Sequence, residues 1–149
     1  MKLLAIIGIA FVLSASTSQA ETFQLKTVDR VDKAEAIEEL SAEQLLEREQ
    51  VKRFVISFLR ANAEDKFLMT SEKYRKLNRG SDSLKKIFNK ESYDRLDFQE
   101  VKLFNRELTK HSSVKANLHW FAEGYEGVQT MYFMLIKEKD RWLLDWLVY

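Results

Sequence analysis

Among the residues that could do chemistry, Asp145 has the most suggestive setting, because it is a carboxylate inside the run Trp142-Leu143-Leu144-Asp145-Trp146-Leu147-Val148-Tyr149. If that run is a strand, Asp145 shares a face with Leu143, Leu147 and Tyr149. A carboxylate desolvated among such groups is suited to taking a proton from a bound substrate. The competing expectation is that Asp145 pairs with a neighbouring Lys or Arg, or lies at a sheet rim. His119 falls on the polar side of an alternating stretch and His111 in an expected turn, so neither has the surroundings of a buried base. Tyr74, Tyr93 and Tyr132 are hydrogen-bond donors, but no base and donor stand at a spacing that defines a site. No catalytic residue is therefore assigned, and Asp145 stays the one candidate.

A second chemistry is the binding of an apolar ligand. Phe58, Trp120, Tyr132 and Trp146 are large side chains that a helix-on-sheet fold could gather around a pocket, although aromatic residues at strand spacing serve equally well as plain core. Other site types lack their residues. Two histidines and no cysteine leave no zinc pattern, there is no His-Glu-x-x-His run, and the acidic residues are not spaced as a calcium loop. Gly80, Gly124 and Gly127 form neither a phosphate-cradling loop nor a dinucleotide fingerprint, and no Gly-x-Ser-x-Gly elbow occurs. Neither a cofactor nor a metal is expected.

The elements that must position these groups change hydrophobic period along the chain. Residues 21–40 are polar and mixed, which predicts a loosely held arm. Ser41-Ala42-Glu43-Gln44 reads as a helix start with a capping box, and Val51, Val55, Phe58 and Leu59 follow at the i, i+4, i+7, i+8 spacing of one face. That helix should run to near Ala63. A shorter helix is expected over Glu72–Leu77, and another from Ser81 or Asp82 to near Leu96. Beyond Asp97 the period becomes two, as in strands with one covered face. Strands are predicted over Phe98–Leu108, from Val114 to Phe121, over Val128–Glu138 and over Trp142–Tyr149. The turns between them are placed at Thr109-Lys110-His111-Ser112, Gly124-Tyr125-Glu126-Gly127 and Lys139-Asp140-Arg141.

The last two strands are apolar at both parities. Tyr132, Met134 and Ile136 oppose Met131, Phe133 and Leu135, and Trp142, Leu144 and Trp146 oppose Leu143, Leu147 and Tyr149. A strand apolar on both sides is covered on both sides. Helices should take one side, and the other is expected to meet a second copy in a homodimer, the N-terminal arm, or a ligand.

The first twenty residues read as an address. Met1-Lys2 gives a positive start, Leu3 to Leu13 is almost wholly apolar, and Ser18-Gln19-Ala20 places small residues before Glu21, the layout of a secretory signal cleaved after Ala20. The apolar run is shorter than the roughly 20 residues that span a bilayer, so no stable membrane insertion is expected. The chain offers no cysteine for a disulfide or a lipid. An exported protein follows, periplasmic or secreted. Its formal net charge of +1 falls to zero once Lys2 is removed with the signal, which argues against nucleic acid as a partner.

The order of elements also resembles a known superfamily. Val51-Lys52-Arg53-Phe54-Val55-Ile56-Ser57-Phe58-Leu59, as a long first helix, and Tyr132 to Trp146, as a final hairpin, make residues 41–149 similar to the cone-shaped α+β roll of nuclear-transport-factor-two-like (cystatin-like) proteins. The resemblance implies an α+β fold with N-terminal helices packed on a curved antiparallel sheet of about four strands. It also implies a pocket at the wide end and a function drawn from isomerases, dehydratases, secretion-apparatus subunits and non-enzymatic binders. Residues 1–20, 21–40 and 41–149 are thus expected to be signal, arm and one α+β domain. The expected role is non-enzymatic binding of a protein partner or small apolar ligand. The alternatives are an isomerase-like or dehydratase-like enzyme using Asp145, and a subunit of an envelope or secretion assembly.

Overall fold

The computed structural model describes residues 25–29, 40–78 and 93–149. In chain order the elements are β1 (Lys26–Asp29), α1 (Ala42–Arg60), α2 (Ala63–Leu68), α3 (Glu72–Asn78), β2 (Tyr93–Arg106), β3 (Thr109–Ala122), β4 (Tyr125–Glu138) and β5 (Arg141–Val148). The class is α+β. The helices pack on a five-stranded sheet of order β1-β2-β3-β4-β5, in which β1 lies parallel to β2 and every other pair is antiparallel.

Ser41 starts α1 as its sequence implies. Its Oγ accepts from the Gln44 N–H at 3.2 Å, and Gln44 Oε1 accepts from the Ser41 N–H at 2.9 Å. The helix stops at Arg60, short of Ala63, because Ala61 and Asn62 are extended and Asn62 Oδ1 accepts from the Asp65 N–H to begin α2. Val51, Val55, Phe58 and Leu59 are buried against Leu96, Phe98, Val101, Val114, Ala116, Leu118, Met131, Phe133, Leu135 and Leu144. This is the alternating set of β2 to β5, so the helical and zigzag periods meet in one core.

The fifth strand departs from the expectation of an antiparallel sheet of about four. Residues 26–29 of the expected arm form β1 because three contacts hold that segment against α1. Leu25 is buried in the core, its carbonyl accepts from Arg60, and Asp29 pairs with Lys52. Burial acts to lower the Lys52 pKa, but the hydrogen bonds to Asp29 and Glu49 carry it above the usual lysine value.

At the opposite edge, Met69–Ser71 cover β5. The Ser71 N–H donates to the Leu144 carbonyl at 2.8 Å, and the Leu144 N–H donates to the Met69 carbonyl at 2.9 Å. An edge strand closed in this way is a poorer template for further pairing. Most of the helix expected from Ser81 or Asp82 lies outside the described residues, but its predicted end does not hold, since Tyr93–Leu96 belong to β2.

The hairpins are tighter and the strands longer than their patterns suggest. Phe104 stacks on His111 with ring centroids 5.6 Å apart, so pairing runs through the expected Thr109–Ser112 turn and the loop contracts to Glu107–Leu108. Both residues have positive φ, 50° and 64°. Two-residue hairpin loops of this kind favour Asn-Gly, and a leucine there is strained. Leu108 is also fully exposed. Replacing Glu107-Leu108 by Asn-Gly should therefore stabilise the fold by about 1 kcal/mol, read as a higher urea midpoint at unchanged slope.

Candidate functional site

Asp145 sits where β5 bulges, between the pairs Met134↔Trp146 and Leu135↔Leu144. Its Oδ1 accepts from Ser71 Oγ at 2.7 Å, and Lys73 Nζ lies 3.5 Å from Oδ2. Ser71 Oγ in turn accepts from the Tyr74 N–H in the first turn of α3. The carboxylate thus fastens α3 to the sheet edge, the pairing-and-rim arrangement that the sequence also allowed.

The four aromatic residues considered for a pocket do not converge. Phe58 is completely buried in the core, stacked on Phe54 at 6.3 Å. Trp120 is half-buried near the end of β3, and its indole covers Gly127 so closely that a Cβ there would lie 2.4 Å from the ring. Tyr132 and Trp146 are on the opposite face of the sheet from α1, 39% and 45% exposed. An apolar ligand pocket lined by all four is not formed, because α1 fills the inner face while two of the four point outward.

The outer face itself divides in two. On β4 and β5, Tyr132, Met134 and Ile136 pair with Val148, Trp146 and Leu143. Leu143 is buried, Met134 and Ile136 are half-buried, and the other three, with Val128, are exposed. On β2 and β3 the same face is mainly polar, with Phe104 and Phe121 exposed at its two ends. Arg95 donates to both oxygens of Asp97, Nε to Oδ1 at 2.7 Å and a terminal nitrogen to Oδ2 at 2.8 Å, and His119 Nε2 lies 3.2 Å from Oδ2. Asp97 is only 2% exposed. Burial acts to raise its pKa, but the Arg95 fork and His119 hold it below the usual carboxylate range. Arg95 and His119 line a polar depression of about 340 Å³ together with Asp94, Trp120, Phe121 and Glu126. The Arg95-x-Asp97 spacing, two residues apart on one strand face, was the available sequence signal. It was hidden by the reading of Leu96 as helical.

A second cleft, of about 380 Å³, lies between the start of α1 and the β2–β3 end of the sheet, lined by Glu43, Gln44, Glu47, Leu103, Asn105, Lys110 and Trp142 among others. Glu47 receives Lys110 Nζ at 2.7 Å and Lys137 Nζ at 3.2 Å, and Lys110 also reaches Glu43 at 3.3 Å. Burial works to raise Glu47, and the two lysines more than offset it, leaving its pKa lowered. Two buried polar atoms on this side of the sheet, Trp142 Nε1 and Ser112 Oγ, have no hydrogen-bond partner among the described residues. Each such group costs about 1–3 kcal/mol unless an acceptor or donor reaches it.

Among the described residues no cluster of His, Asp and Glu could hold a metal ion, and no helix is long and apolar enough to cross a membrane. No protein-family model matches the chain, and no curated protein matches it.

Proposed function

We propose that this chain is an exported, non-enzymatic interaction domain, an α+β roll of the nuclear-transport-factor-two-like kind, whose outer sheet face on β4 and β5 docks a second copy of itself. The observation that carries the reading is the row Tyr132, Trp146 and Val148, large apolar groups left exposed on a sheet whose other face is already filled by α1. An exposed apolar patch of this kind marks an interaction site more often than it marks neutral surface. Strands β2, β3 and β4 are each 14 residues long. At about 3.3 Å per residue and about 4.8 Å between strands, β4 and the eight residues of β5 offer roughly 350 Å², so an interface of the standard roughly 800 Å² per partner also takes in the outer face of β2 and β3.

The signal-like residues 1–20 support export, with cleavage after Ala20, and the balance of charge supports a protein partner over a nucleic acid. Against an enzymatic role stands the engagement of Asp145 by Ser71 and Lys73, since the carboxylate needed as a base is fixed at the rim. The polar lining of the described clefts also favours a protein surface over a small apolar ligand as the partner.

Sedimentation of the purified protein over a range of concentrations tests this reading. The wild type should shift from monomer to dimer in the micromolar range, and Trp146→Glu should weaken the association by about thirtyfold or more, because it places a charge at the centre of the row. Trp146 is half-exposed in the monomer, so the variant should keep the wild-type urea midpoint when both are measured at concentrations where the wild type is monomeric. A wild type that stays monomeric at the highest concentration rejects the reading.

A further inference from the structure

The outer face is apolar on β4 and β5 and charged on β2, and this division limits how a second copy can sit on it. An isologous contact between two sheet faces is made about a two-fold axis lying in the interface plane. Set obliquely, the axis crosses the strands of the two copies near right angles and overlaps them over only roughly 19 by 19 Å, the width of four strands. Set along the strands at the β4–β5 boundary, it puts apolar groups on apolar groups but confines the contact to roughly 350 Å² per partner, well short of the roughly 800 Å² of a standard interface. Moved to the middle of the face, between β3 and β4, the same axis lays β2, with Glu100 and Lys102, against Trp146 and Val148 of the other copy. An axis across the strands has neither fault. Each strand then covers its own counterpart in reverse, so that β4 and β5 meet their like while β2 and β3 are covered too.

Strand register places that axis along the face. Lys102, Ser113, Met134 and Trp146 form one row across the sheet, and Glu100, Lys115, Tyr132 and Val148 form the next. An axis on the first row would set Lys102 against itself. Half a row further, midway between the two, it sets Trp146 over Val148, Met134 over Tyr132 and Lys102 over Glu100, so apolar groups and opposite charges meet together. Half a row the other way, almost half of β2, β3 and β4 would lie beyond the other copy. Within one copy Lys102 Nζ lies 2.6 Å from Glu100 Oε1, and the two side chains stay 61% and 37% exposed. An ammonium with three N–H groups and a carboxylate with several lone pairs can each take a second partner. We propose, as an inference that rests on the dimer reading above, that two copies pack sheet on sheet about a two-fold axis crossing the strands between these two rows, and that Lys102 of each copy pairs with Glu100 of the other. Both side chains are long enough to take up the roughly 30° between aligned sheets.

Charge reversal separates pairing between copies from pairing within one. Glu100→Lys and Lys102→Glu each put like charges both inside a copy and across the axis, and each variant alone should associate about tenfold more weakly than wild type, or worse. In a mixed dimer of the two variants, both contacts across the axis again join opposite charges, while the like charges inside each copy are unchanged. An equimolar mixture should therefore sediment as a dimer at a concentration where each variant alone is monomeric, with an affinity within about threefold of wild type. The gain should fade as salt is raised. Hydroxyl-radical footprinting of the wild type needs no substitution: Phe104 on β2, 40% exposed, should become protected together with Tyr132 as concentration rises. A wild type that dimerises while the mixture gains nothing over its components overturns the placement of the axis and leaves the dimer standing. Phe104 staying reactive while Tyr132 is protected does the same, and a wild type that remains monomeric overturns both.

Discussion

Phe58→Ala should lower the unfolding free energy by about 3–5 kcal/mol, the usual range when a fully enclosed aromatic ring is deleted. The reason is position. Phe58 has no solvent exposure and sits in the cluster joining α1 to Leu96, Phe133 and Leu144, with Phe54 stacked on one side and the Lys66 ammonium 5.9 Å from its ring centroid. Surrounding strands hydrogen-bonded on both sides cannot collapse fully into the space left, so the cavity cost adds to the lost transfer free energy. Urea denaturation of Phe58→Ala beside Phe58→Leu checks this, the leucine variant losing only about a third as much. A loss below about 1 kcal/mol for the alanine would mean that Phe58 lines an open pocket after all.

The second large effect concerns Asp97. Asp97→Ala removes the shared acceptor of Arg95 and His119 and should cost about 2–3 kcal/mol. The loss stays below that for a wholly enclosed ion pair because the Arg95 side chain is 37% exposed and regains water. The same carboxylate links stability to pH. Asp97 and Glu47 both have folded pKa values below the ordinary carboxylate range, so each contributes stability that is complete above the unfolded value. That contribution disappears as the pH falls through the folded value. The wild type should therefore lose stability from about pH 5 downward, and Asp97→Ala should show a shallower acid limb. Lys52 has the opposite sign: its raised pKa gives stability that is present below the ordinary lysine value and is lost as the pH climbs through the folded one. Urea midpoints measured across pH separate the two limbs, and an acid limb identical in wild type and Asp97→Ala would contradict the assignment.

Much of this architecture was legible because two periodicities state it. Val51, Val55, Phe58 and Leu59 mark one helical face, and Val114, Ala116 and Leu118 mark one strand face, and all seven are buried together. Ser41 and Gln44 placed the helix start to the residue. The parts that were misread depend on contacts between residues far apart in sequence. β1 is too short and too polar for its pattern to declare it, and it forms because Lys52, twenty-three positions from Asp29, captures that carboxylate. The turn after β2 moved because Glu107 and Leu108 accept a left-handed conformation that their residue types disfavour, overruled by continued pairing of the long strands.

The candidate sites were harder still. Asp145 was singled out by its apolar neighbours along the chain, but its environment is set by Ser71 and Lys73 across the sheet edge, which no local pattern announces. Glu47 meets Lys110 and Lys137 over separations of 63 and 90 residues, so the ion-pair cluster they form had no sequence signature. What did transfer was parity. Large side chains at both parities of β4 and β5 called for two covered faces, and α1 covers only one of them.

Hydroxyl-radical footprinting of the mature protein as its concentration is raised tests most directly that the outer face of β4 and β5 is an interface. Tyr132 and Trp146 should become protected together, with one midpoint, while Tyr125, 74% exposed at the start of β4, stays reactive throughout. Unchanging reactivity of Tyr132 and Trp146 from the most dilute to the most concentrated sample would contradict the account.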